Sequence, residues 1–152
     1  MRYLCVLLLA ALMGPATAQE LKPRYNTNEQ GIWLDGYDPV AYVIQGRAMK
    51  GSPTLSLMHD GVTFRFANPT HLELFRKQPE RYLPQYGGWC AYALGARNEK
   101  VEVDPETFKV IDGKVFLFYN AYFNNTLNSW NKDEARLHEA ADRNWTNFKH
   151  KP

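Results

Sequence analysis

The 152-residue chain carries 18 Lys and Arg against 16 Asp and Glu, a formal net charge of +2 with neutral histidines, and its basic residues form no cluster. That near-balance argues against nucleic acid or an anionic membrane as partner, since both are recognised by grouped cations. An apolar fraction of 45% is that of a folded chain, and the 14% aromatic content points to a rigid core.

Met1 to Ala18 reads as a cleavable export signal. Arg2 gives it a positive start, Leu4 to Met13 is an unbroken apolar run, Gly14-Pro15 breaks that run, and Ala16-Thr17-Ala18 has the small-x-small pattern of a peptidase site. The run is too short to cross the about 30 Å of a bilayer as a helix, so no stable membrane insertion is expected. Cys5 lies inside the run and leaves with it. The expected mature chain begins at Gln19 and is periplasmic or secreted. Residues 19–30 are polar, hold Pro23 and lack a period, which predicts a flexible lead-in. Residues 31–150 form the predicted folded domain.

Gly31 to Leu34 is expected to be a short first strand, turned by Asp35-Gly36. Asp38-Pro39 has the pattern of an N-cap followed by proline at the first helical position, with the helix running to Ile44 and closed by Gly46. Thr54–Met58 and Val62–Phe66 flank His59-Asp60-Gly61, a strong hairpin signal. Val62, Phe64 and Phe66 share one face of the second strand, and Met58 is expected in the core. Asn68-Pro69 caps a helix with Leu72 and Phe75 inward, and Pro79–Tyr82 adds a further turn. Gly87-Gly88 permits a tight bend or close backbone approach, and the run after it predicts a short helix burying Ala91 and Leu94. Thr107–Ile111 and Lys114–Tyr119 make a second hairpin around Asp112-Gly113. Trp130, Leu137, Ala141, Trp145 and Phe148 recur at helical spacing as one apolar stripe, read as core packing. The fold class is therefore α+β: a small single domain of antiparallel hairpins packed with short helices and a C-terminal amphipathic helix.

The expected mature chain keeps one cysteine, Cys90, in a compartment where thiols usually pair. Three readings stay open: a buried small hydrophobe, a metal ligand, or a redox or nucleophilic thiol. Trp89 and Tyr92 beside it would shield a soft ion, and would also raise a thiol pKa by desolvation. The bend before it places it near a helix N-terminus, which acts the other way. With no second cysteine, a dithiol cycle within one chain is excluded. The soft-metal donors on offer are Cys90, His71 and His59 together with the thioethers of Met49 and Met58, at no zinc-like spacing. His59 at a hairpin tip and His71 on a first helical turn are positions that are ordinarily solvated, as are His138 and His150. No phosphate-cradling loop, GxSxG elbow or HExxH appears. Asn124-Asn125-Thr126 and Asn144-Trp145-Thr146 match an acceptor pattern that only a eukaryotic host glycosylates.

Three stretches resemble the YHS domain family: GYDPVAY at Gly36–Tyr42, FRFANPTHLELF at Phe64–Phe75, and QPERYLPQYGGWCAYA at Gln78–Ala93. The last is similar to the exported stand-alone branch, with YGG, an aromatic residue and Cys-Ala, and so is VDPETFKVIDGKVFLFYN further on. The resemblance implies a periplasmic module. It also implies heavy-metal binding, since YHS domains on metal-pumping ATPases are regarded as metal modules with cysteine ligands. Ala41, Ala67 and His71 occupy the three family cysteine positions, so a thiolate trio does not carry over. The expected function is an exported binding module for copper or another soft metal ion, with Cys90 as anchor, His71 assisting and His59 nearby. The alternatives are a small-molecule or protein interaction module using the aromatic surface around Trp89, with Cys90 structural, and a thiol-dependent enzyme.

Overall fold

The computed structural model describes residues 23–149; the export signal, the expected cleavage before Gln19 and His150 lie outside the described residues. The fold is α+β; among the described residues three two-stranded antiparallel hairpins are set among six α-helices. Helix α1 (Pro39–Gln45) starts as its sequence dictates. Asp38 accepts from the amides of Val40 and Ala41, Pro39 takes the first position, and Gly46 ends the helix at φ 61°. Strands β1 (Ser52–His59) and β2 (Val62–Phe66) turn at Asp60-Gly61. Helix α2 (Pro69–Lys77) is capped by Asn68, and α3 (Pro79–Tyr82) follows as one turn. Helix α4 (Ala91–Arg97) leads to β3 (Asp104–Ile111) and β4 (Lys114–Phe118), which turn at Asp112-Gly113. A third hairpin, β5 (Asn120–Ala121) with β6 (Asn124–Asn125), runs straight into α5 (Thr126–Lys132) and α6 (Glu134–Lys149).

Strand β4 organises the interior. Val115 and Leu117 face one aromatic cluster built on Trp33, Tyr42, Phe64, Phe66, Phe75 and Tyr82. Phe116 and Phe118 face a second, built on Tyr86, Trp89, Leu94, Trp130, Leu137 and Trp145. The period of two along a strand thus serves two cores at once, one per face. The C-terminal stripe packs into the second cluster as expected, although it is split between α5 and α6 at Asp133.

The structure corrects several expectations. The start of the domain is not a strand: Ile32 and Trp33 make isolated bridges, and Leu34–Gly36 is a single 3-10 turn. The described part of the lead-in docks instead of fraying. Tyr25 and Asn26 are buried, the Asn26 amide donates to the Gly87 carbonyl at 2.9 Å, and its side-chain amide donates to that of Gly88. Gly87 is what allows this, because a Cβ there would lie 2.1 Å from the Arg24 carbonyl oxygen. Met58 is 71% exposed, since alternation along β1 puts it on the outer face with Thr54 and Ser56. His138 is half-buried, its ring edge-on to Phe116 at 4.9 Å. Among the described residues no helix is long and apolar enough to cross a membrane.

Candidate functional site

Cys90 caps α4 with its backbone, yet its side chain makes no cap hydrogen bond. The thiol is fully buried and held by two groups. The Tyr119 amide donates to Sγ at 3.4 Å, and Thr126 Oγ1 lies 3.5 Å away. The Thr126 hydroxyl spends its one hydrogen on the Tyr119 carbonyl, at 2.9 Å. With its hydrogen turned that way, Oγ1 faces Sγ as an acceptor. Cys90 thus sits with its hydrogen-bonding capacity met, tying α4 to the segment linking β4 and α5.

His71 is buried, against the expectation of a solvated first-turn residue. The reason is Asp38. That carboxylate is fully buried and accepts four hydrogen bonds: Oδ1 from the Val40 and Ala41 amides, Oδ2 from the Ala67 amide and from His71 Nδ1 at 2.6 Å. A carboxyl buried this deep needs such a set of partners. The His71 ring thus meets Asp38 through Nδ1, with Nε2 on its far side. The pair locks the starts of α1 and α2 to the end of β2. His59 is half-buried at the end of β1, its ring 5.8 Å from Phe75 and 6.5 Å from Phe64. Its Nε2 has no hydrogen bond and lies 3.7 Å from Asp60 Oδ2.

The structure sets these three donors in different surroundings. Cys90 is held by Tyr119 and Thr126, His71 by Asp38, and His59 lies against Phe64 and Phe75. Among the described residues no three His, Cys, Asp or Glu side chains are grouped to hold an ion. The aromatic surface expected around Trp89 is interior: Trp89 is 2% exposed and its indole donates to the Pro23 carbonyl. Two clefts beside Arg24 and Tyr25 have volumes of about 200 and 150 Å³, below the roughly 300 Å³ at which small-molecule sites begin.

The feature that sequence reading missed is the β5–β6 turn. Ala121 pairs with Asn124, so Tyr122 and Phe123 are its two central residues. Their φ angles are 51° and 62°, the left-handed pattern of a type I′ turn. Their side chains are 91% and 111% exposed, the most exposed large apolar groups among the described residues. The hairpin carrying them is anchored on both strands. Asn120 donates to Thr107 Oγ1 at 3.0 Å, and Asn125 caps α5 by accepting from the Leu127 amide. Between Lys114 and Lys132 the sequence has no Asp, Glu, Lys or Arg. That uncharged run, with asparagines on both sides of Tyr-Phe, is what the sequence offers in place of an ordinary turn signal.

Comparison with family models, curated proteins and solved structures finds no match.

Proposed function

We propose that this chain is an exported, non-catalytic interaction module, with Cys90 as a structural thiol and the Tyr122–Phe123 turn as its contact point. The observation that carries this reading is the turn. Two aromatic residues occupy left-handed positions that favour Asn and Gly, and they bury almost nothing in return. A left-handed conformation costs an ordinary residue on the order of 1–2 kcal/mol, so the fold alone would be better served by other residues. The resemblance to exported YHS domains supports the compartment. The satisfied thiol supports a structural cysteine over a metal anchor or nucleophile.

Two measurements test this. Tyr122→Asn with Phe123→Gly is expected to raise unfolding free energy by about 1–2 kcal/mol, because it relieves strain without uncovering any core. A loss of stability would mean that the rings serve the fold, and the reading falls. Competition with a Cu(I) chelator under anaerobic conditions tests the cysteine. Tight one-to-one binding that disappears in Cys90→Ala would return the thiol to a metal role.

A further inference from the structure

We infer that the Tyr122–Phe123 turn docks on a neutral, zwitterionic lipid surface, inserting its two rings at the headgroup boundary. This rests on the reading of the turn as a contact point and names what it contacts. Charge comes first. A membrane-inserting tip must carry no charge to the depth it reaches, and nothing from Val115 to Asn131 is charged. The flanking Asn120, Asn124 and Asn125 are polar and neutral, suited to headgroup hydrogen bonding. Asp104 meets the Asn120 side-chain amide at 3.5 Å, at the base of the hairpin and not at its apex. No basic residue lies in the run, so attraction to anionic lipid is not the driving force.

Shape and area point the same way. Two strand residues on each side of the turn give a projection of roughly 7 Å at about 3.3 Å per residue, within the about 5–10 Å depth of interfacial insertion. Aromatic residues favour that depth, with tyrosine keeping its hydroxyl in the wet layer. A stable protein partner or second copy asks for about 800 Å² per side, whereas two rings supply at most roughly 300–500 Å². The other exposed large apolar residues among those described, Ile44, Met58 and Val110, lie on α1, β1 and β3 and not on this hairpin. A lipid interface needs no complementary area beyond the rings themselves.

The test uses chain shown by mass to begin at Gln19, since an uncleaved leader would bind lipid itself. If processing leaves the leader in place, the difference between wild type and variant carries the test. Wild type is expected to co-sediment with phosphatidylcholine vesicles, equally at low and high salt and without gain from added phosphatidylserine. Tyr122→Asn with Phe123→Gly is expected to lower the partition coefficient on the order of tenfold or more. Three results would overturn the inference: no vesicle binding by wild type, binding that requires phosphatidylserine and fades with salt, or a variant that binds like wild type. A dimer seen by ultracentrifugation and lost in the variant would assign the knob to a second copy instead. If the variant is stabilised while wild type ignores vesicles, the contact point stands and only the lipid assignment falls.

Discussion

Asp112-Gly113 and Tyr122-Phe123 close successive hairpins with nearly the same backbone, φ 50° and 74° in the first and 51° and 62° in the second. Asp60-Gly61 repeats the first pattern at 50° and 75°. Two of the three turns use residues that enter the left-handed region readily, and a Cβ on either glycine would meet nothing within 4 Å. Their glycines answer to conformation alone. The third turn places β-carbons and large rings where no packing rewards them. Turn chemistry agrees with the fold at two sites and opposes it at the third, and on that contrast the proposed contact point rests.

The largest effect that bears on this contrast lies beneath the aromatic turn. Trp130 on α5 is fully buried, its ring 5.4 Å from Phe118 and 5.9 Å from Phe116, and its indole donates to Glu134 at 2.9 Å. Trp130→Ala is expected to cost about 3–5 kcal/mol in denaturant melts, far beyond anything done at the turn itself. A small loss would show that α5 does not hold the hairpin, and the rigid display of the rings would lose its basis. A transplant sharpens the comparison next. Asp112→Tyr with Gly113→Phe puts the aromatic pair on the ordinary turn, and a loss of about 1–2 kcal/mol is expected. An unchanged melt would mean that this chain tolerates rings in left-handed turns without strain.

The smallest effect belongs to the Asp60-Gly61 turn, where the aspartate has a second task. Tyr25 donates to Asp60 Oδ2 at 3.3 Å, and burial pushes the phenol up to about 12 from its ordinary 10.0. The neutral phenol is therefore favoured in the folded state. Its contribution is fully present below pH 10 and is lost as pH rises toward about 12, because the unfolded chain ionises first. Tyr25→Phe is expected to flatten the alkaline limb of the stability profile over that window. An alkaline limb identical to wild type would show that Tyr25 is no more protected folded than unfolded.

Local signals made most of the fold legible. Asp38-Pro39, Asn68-Pro69 and the two Asp-Gly turns act within a few residues of themselves, and the elements they predict are present. What was not legible depended on distant partners. His71 reads as solvated until Asp38, far away in sequence, is brought against it. Residues 23–30 read as loose until the double glycine receives them. Cys90 kept three readings because the Thr126 hydroxyl and Tyr119 amide that hold its sulfur are tertiary neighbours. Tyr122-Phe123 was missed for the opposite reason: local turn rules expect Asn or Gly there, so a turn that defies them carries no ordinary signal.

Strand β4 places Val115 and Leu117 in one cluster and Phe116 and Phe118 in the other, so neither cluster can lose it without the other losing a wall. The two halves are thereby joined in one cooperative unit, and opening either exposes the backbone of the same four residues. Amide exchange at Val115 to Phe118 is then expected to proceed through global opening. Those amides report the stability of the whole molecule, while amides of the exposed turns exchange through local fluctuation.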